Sequence, residues 1–161
     1  MIKNSLLLFL SLFLFSCSQN TVFSEYKDIN QAKWHKDSLV MFSFNAKDTI
    51  SKNNIYINLR NNKDYEFSNI YLIVGITFPN QHQIKDTLQY QMTDEKGVFL
   101  GNGFTDIKEN KLEYKTNITF PQQGNYIFSV EQAMRKLGKV QADDYLNGIT
   151  DVGIEIEKIK E

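Results

Sequence analysis

The chain has 161 residues, a formal charge of −1, a pI near 6.1 and a single cysteine. This near-neutral balance, with no basic stripe, excludes a nucleic-acid binder, and one thiol excludes an internal disulfide framework. Two prolines, eight glycines and 13% aromatic residues exclude a low-complexity chain and describe a folded domain rich in Tyr and Phe.

The first element is an apolar leader. Lys3 gives it a positive start, residues 6–10 and 12–15 form a nearly unbroken hydrophobic run, and Leu14-Phe15-Ser16-Cys17 follows. The run is too short to span a bilayer and has the grammar of a signal peptide. A cysteine directly after a small residue resembles the bacterial lipobox, with Phe15 standing where a smaller residue is usual. That resemblance implies a diacylglycerol thioether on Cys17, cleavage before it, and acylation of the new amine. Removing residues 1–16 leaves 161 − 16 = 145 residues, enough for one domain with a real core. Two or more acyl chains hold a protein stably on a bilayer. Ser18-Gln19-Asn20-Thr21 is a short polar tether without the acidic cluster that some surface-exported lipoproteins carry here, and this favours a periplasm-facing domain.

The mature chain reads as strands. Residues 21–31 suit a short strand or a turn. Residues 38–45 alternate, with Val40, Phe42 and Phe44 on one side, and residues 54–60 set Ile55, Ile57 and Leu59 against Tyr56, Asn58 and Arg60. Residues 70–78 are apolar at nearly every position, as in a central strand or a sandwich interior, and Pro79-Asn80 ends them. Residues 87–92 alternate again, and 97–100 suit a short strand before Gly101 and Gly103. Residues 111–120 carry Leu112, Tyr114, Ile118 and Phe120, a turn follows at Pro121-Gln122-Gln123-Gly124, and 125–132 turn Tyr126, Phe128 and Val130 inward. Residues 131–137 (EQAMRKL) are the best local helix candidate, closed by Gly138. In the last strand, residues 148–159, Val152, Ile154 and Ile156 face in while Asp151, Glu155 and Glu157 face out. The pattern predicts an all-β fold, an antiparallel β-sandwich of jelly-roll/Greek-key or immunoglobulin-like topology, with a lean to the former. Tyr126, near the start of its strand, is placed to bond back to a loop.

Several stretches, in this order behind the lipobox, carry a family resemblance: Trp34-His35-Lys36-Asp37, Ile57-Asn58-Leu59-Arg60-Asn61, Asp64-Tyr65, Phe67-Ser68-Asn69-Ile70-Tyr71-Leu72, Gly101-x-Gly103, Asp106-Ile107-Lys108-Glu109-Asn110-Lys111, Gln132-Ala133-Met134-Arg135 and Gly148-Ile149-Thr150-Asp151-Val152-Gly153. Together they resemble the gliding motility lipoprotein GldH family of Bacteroidetes over nearly the whole mature chain. The resemblance implies a lipoprotein needed for gliding, in bacteria whose motility machinery is linked to type IX secretion. It carries over no catalytic or ligand-binding residue.

Trp34 reads as a plug at one end of the sandwich, with His35, Lys36 and Asp37 solvated around it. His35 and His82, without a cysteine, fall short of a zinc ligand set. Asp106, Glu109 and Glu113 lack the spacing of a calcium loop and read as a solvated connection. Arg60 and Arg135, the only arginines, are either ion-pair anchors or partner contacts; for Arg60 the expected counter-charges are Asp64 or Asp106. The sequence contains no Gly-x-Ser-x-Gly elbow, Walker loop or His-Glu-x-x-His motif.

The resulting expectation is a signal peptide (1–16), a lipidated Cys17 with its tether (17–21) and one β-sandwich domain (22–161). The domain is expected to be no enzyme and to need neither cofactor nor metal. Its expected partners are membrane lipid through Cys17 and other envelope proteins of the gliding machinery, with Trp34, His35, Arg60 and Arg135 as possible contact or structural residues. The expected location is the outer membrane, facing the periplasm. The competing reading is a surface glycan-binding or glycan-processing module that uses Tyr56, Tyr71 and Tyr90 as a platform; only fold analogy supports it.

Overall fold

A computed structural model describes residues 20–135 and 144–160. The leader, Cys17 and the tether through Gln19 lie outside the described residues. Ten strands follow in order: β1 (Thr21–Asp28), β2 (Lys33–His35), β3 (Val40–Ala46), β4 (Asn53–Asn61), β5 (Asn69–Thr77), β6 (Gln83–Gln91), β7 (Lys108–Ile118), β8 (Gly124–Gln132), β9 (Tyr145–Asn147) and β10 (Ile149–Lys158). A 3-10 turn, Asn30–Ala32, precedes β2.

Two four-stranded antiparallel sheets form the walls, ordered β1-β10-β4-β7 and β3-β8-β5-β6, and β2 pairs with β9 in a small ribbon. Among the eight wall strands, only β5 and β6 are consecutive neighbours within one sheet; every other connection crosses from sheet to sheet. Numbered by wall strand alone, the orders are 1-8-3-6 and 2-7-4-5, which is the double Greek key of a jelly roll. The sandwich and its jelly-roll lean are thereby observed.

Alternation decides which side chains go inside. Phe42 and Phe44 of β3, Ile55, Ile57 and Leu59 of β4, Ile70, Leu72 and Val74 of β5, Tyr126, Phe128 and Val130 of β8, and Val152, Ile154 and Ile156 of β10 fill one continuous core. The sandwich closes differently along its two open edges. On the β1/β3 side Phe23 packs on Phe44 with ring centroids 5.4 Å apart. On the β6/β7 side the closure is polar: the Tyr114 hydroxyl donates to Asp86 at 2.8 Å, Lys115 pairs with Asp86 at 2.9 Å, and the Tyr90 hydroxyl donates to the Glu113 carbonyl at 2.6 Å. Tyr126 bonds back as expected, donating to the Gln122 carbonyl at 3.0 Å.

The helix expected at 131–137 is corrected over its described part. Glu131 and Gln132 complete β8, and residues 133–135 form no helical turn. The β5 register overrides helix propensity: Gln132 stands opposite Leu72, and Ala133 donates to the Tyr71 carbonyl at 2.8 Å. Residues 136–138 lie outside the described residues. The strand expected at 97–100 reduces to one bridge between Thr93 and Phe99.

The strand ends define two poles. The start of β1, the end of β10 and loops 47–52, 78–82 and 119–123 lie at one pole. The opposite pole carries the β2/β9 ribbon and loops 62–68 and 92–107.

Candidate functional site

The most organised polar surface is the outer face of the β1-β10-β4-β7 sheet. Strand register builds it, setting Arg60 of β4 opposite Glu109 of β7 on one side and Asp151 of β10 on the other. The Arg60 Nε donates to Glu109 at 2.7 Å, and Nη1 stands 3.9 Å from Asp151. The guanidinium thus divides its fork between two neighbouring strands, and it stacks on the Tyr26 ring 4.3 Å from the centroid. The Tyr26 hydroxyl donates to the other Glu109 oxygen at 3.0 Å and accepts from Asn58 Nδ2 at 2.9 Å. Burial, reinforced by the bond to Glu109, pushes this phenol up to about 12.

Asn58 extends the network by donating to Glu155 at 2.7 Å. Lys111 pairs with Glu155 at 3.1 Å and Glu157 at 2.8 Å, and its ammonium lies 4.3 Å from the Tyr56 ring centroid. Burial alone would raise the Glu155 carboxyl, but the Asn58 bond and the Lys111 ammonium outweigh it and hold the group below its usual range.

Gly153 makes this arrangement possible. It lies opposite Tyr26 across the β1/β10 pairing. A Cβ on Gly153 would stand 2.8 Å from one Tyr26 ring carbon and 3.0 Å from another, and 3.0 Å from the Glu25 carbonyl oxygen. Without a side chain there, the Tyr26 ring crosses β10 and reaches Asn58 and Glu109 on β4 and β7.

The expected site residues do not assemble into one cluster. Trp34 is 1% exposed, plugs the far pole and donates from Nε1 to the Ser38 carbonyl at 2.9 Å. His35 accepts the Asp37 backbone N–H at Nδ1 and packs edge-on against Tyr145 at 4.8 Å. Arg135 is exposed just past β8. Arg60 does form an anchoring ion pair, but the expected counter-charges Asp64 and Asp106 are corrected to Glu109 and Asp151. The tyrosine platform is corrected as well: Tyr56 lies on the outer face of one sheet, Tyr71 on the other, and Tyr90 reaches across the seam between them. Among the described residues no group of three or more His, Cys, Asp or Glu side chains converges as metal ligands would.

A family model described as "GldH lipoprotein" matches residues 21–156, from the first wall strand to the last. The chain belongs to the GldH lipoprotein family. It is 48% identical over 158 residues to the "Gliding motility lipoprotein GldH" of Flavobacterium johnsoniae, covering 98% of each chain. It is 49% identical over 143 residues to the "Gliding motility lipoprotein GldH homolog" of Christiangramia forsetii, covering 89% of this chain and 87% of that one. Among solved structures, the infectious bursal disease virus VP2 subviral particle aligns with 85% of the chain at 14% identity and a TM-score of 0.38. The alignment spans 33% of that viral chain. No described helix is long and apolar enough to cross a membrane.

Within this GldH lipoprotein fold, Tyr26, Asn58, Gly153, Glu109 and Asp151 were not singled out from the sequence as members of the network around Arg60. Four of them lie in stretches that carry the family resemblance: Asn58 in 57–61 with Arg60, Glu109 in 106–111, and both Asp151 and Gly153 in 148–153. Those stretches are far apart in the chain, and the sheet register stacks them side by side.

Proposed function

We propose that this chain is a non-catalytic lipoprotein of the cell envelope that serves gliding motility as an interaction or scaffolding part of the gliding apparatus, linked to type IX secretion. The observation that carries this reading is its near full-length identity to a relative named for gliding motility. The anchor is Cys17: its sulfur takes a diacylglycerol, residues 1–16 are removed, and the new amine is acylated. Support comes from the short lead between Cys17 and Thr21, where β1 already pairs with β10. The lipid confines the domain to one leaflet and so raises its effective concentration near other envelope proteins. The uncharged Ser18-Gln19-Asn20-Thr21 supports an outer-membrane position facing the periplasm.

Complementation of a gliding-negative deletion strain tests the whole reading. Wild type should incorporate a clickable fatty acid and restore spreading, and Cys17→Ser should do neither. Equal label on both proteins would remove the lipid anchor, and full spreading by the unlabelled variant would remove the need for it. Protease added to intact cells should spare the domain; digestion before permeabilisation would place it on the outer surface. Cross-linking followed by co-purification from membranes should recover other gliding proteins, and recovery of none would count against a scaffolding role.

A further inference from the structure

The pole at which the chain enters the sandwich has a chemistry of its own. Lys47, Lys52, Lys158 and Lys160 are all exposed there. Among the described residues of its loops the sole acid is Asp48, and that carboxylate is engaged internally. Its Oδ1 accepts the N–H groups of Ile50 at 2.9 Å and Ser51 at 3.0 Å, and its Oδ2 accepts the Ser51 hydroxyl at 2.5 Å and lies 3.4 Å from Lys158 Nζ. The bracing holds the loop in a tight turn whose tip is Ile50, an aliphatic side chain 86% exposed. Val22, half-exposed, lines a nearby cleft of about 290 Å³ together with Phe44 and Phe120. The far pole instead mixes its charges, exposing Asp64, Glu66 and Glu95 beside Lys63 and Lys96.

We infer that this pole docks on an anionic phospholipid leaflet, with Ile50 entering the headgroup region and Lys47, Lys52 and Lys160 facing the phosphates. The inference rests on the lipid anchor at Cys17. Three residue steps separate Cys17 from Asn20, so the pole stands at most about 10 Å from the anchor point even at full extension. That distance is close to the Debye length of about 8 Å at physiological ionic strength, so the lysines feel the surface potential at every position the tether allows. An outward aliphatic side chain among cations is the combination that binds the interface of an anionic bilayer. A tether alone leaves the domain free to tumble; these residues give it a preferred face.

The mature lipidated chain provides its own test, because acylation consumes the only native thiol and leaves an introduced cysteine as the single label site. Gln122→Cys reports on the near pole and Phe104→Cys on the far pole, both at exposed positions. With an environment-sensitive dye and vesicles of phosphatidylglycerol and phosphatidylethanolamine that contain a spin-labelled quencher lipid, the dye at 122 should be quenched and the dye at 104 should not. Adding Ile50→Asp and Lys52→Glu should abolish the excess quenching at 122, while the protein still floats with the vesicles and its melting point is unchanged. Replacing phosphatidylglycerol by phosphatidylcholine should weaken it too. Equal quenching at the two positions, or quenching at 122 that ignores the double substitution, overturns the docking face and leaves the anchor standing. A mature chain whose mass shows no acyl groups removes the anchor reading, and the docking face with it.

Discussion

The two outer faces of the sandwich share one alternating pattern and differ in what they do with it. On the β1-β10-β4-β7 sheet, Arg60, Glu109, Asp151, Tyr26, Asn58, Glu155 and Lys111 tie all four strands together across register positions. On the β3-β8-β5-β6 sheet, the outward residues include Met41, Ser43, Tyr71, Ile73 and Ile127, and the side-chain links among them are sparse, with a Ser43–Asn125 hydrogen bond at 2.7 Å and a Lys85–Glu131 pair at 3.7 Å. The difference teaches that burial pattern alone does not set surface chemistry. One face is cross-braced by charge; the other keeps exposed, weakly polar side chains, with Met41 half-exposed. Weakly polar exposed faces are the ones available for protein contacts.

The largest expected effect comes from the core beneath both faces. Phe128 is fully buried on β8 and stands opposite Phe42 and Ile76 on its two neighbours. Phe128→Ala should cost about 3–5 kcal/mol through lost burial and the cavity left behind. Denaturant unfolding of the mature protein measures this, and an unchanged midpoint would mean that the β8 facing is wrong.

Gly153→Ala breaks only the braced face. The new methyl collides with the Tyr26 ring and the Glu25 carbonyl, so β1 must shift or Tyr26 must release Asn58 and Glu109. The expected cost is about 1–3 kcal/mol, the usual range for overpacking. Gly153→Ala combined with Tyr26→Ala should recover part of the loss, because the second change clears the space. No recovery in the double variant would show that the strain lies in the backbone contact with Glu25.

Much of this architecture was legible in the chain. The alternations of β3, β4, β8 and β10 reported their own inward faces, because each strand has one wall on the core, and Tyr126 was correctly read as bonding back to its turn. What escaped was non-local. EQAMRKL has helix formers at most positions, yet Met134 is buried and its sulfur accepts the Tyr71 N–H at 3.1 Å, a contact set by β5 and invisible from the segment itself. Asp64 looked like the partner of Arg60 because it is four residues away. A strand, however, sends such neighbours along the chain and not across it, so the true partners are the residues in register on β7 and β10. Gly153 gave no signal, since an isolated glycine in a strand does not say whose ring will lie over it.

Arg60→Ala sharpens the comparison at smaller cost. Its side chain and that of Glu109 are both more than a third exposed, so solvent screens the pair and the loss should be about 1 kcal/mol, including the contact with Tyr26. Arg60→Lys keeps the charge but cannot serve two strands and a ring at once, and it should recover less than half of the loss. If both variants melt with the wild type while gliding fails, Arg60 is a partner contact and the brace is incidental.

Alkaline titration probes the same brace. The Tyr26 phenol has an ordinary value near 10 and stands at about 12 in the fold. Because the folded value is raised, its contribution is complete below pH 10 and is lost as the pH climbs from 10 through 12. Tyr90, raised to about 12 by its burial and by Glu113, adds to the same window from the seam. Tyr26→Phe should therefore flatten part of the stability loss between pH 10 and 12. An identical slope in the variant would show that the other buried phenols, Tyr90 and Tyr114 at the seam and Tyr65 at the far pole, carry all of it.

The smallest effect is expected on the unbraced face. Lys85 on the edge strand β6 and Glu131 on the inner strand β8 approach at 3.7 Å across β5, and the Lys85 side chain is 64% exposed. Their attraction is screened by water and opposed by the entropy of holding a long side chain still, so Lys85→Ala should change stability by less than about 0.5 kcal/mol. The comparison depends on that small number being smaller than the Arg60 value. A Lys85→Ala loss equal to that of Arg60→Ala would mean that the two faces are braced alike, and that the sparse links on the β3-β8-β5-β6 sheet contribute as much as the network opposite. A loss near zero would leave this face as a surface whose residues can change without loosening the sandwich, which is what a partner-binding face requires.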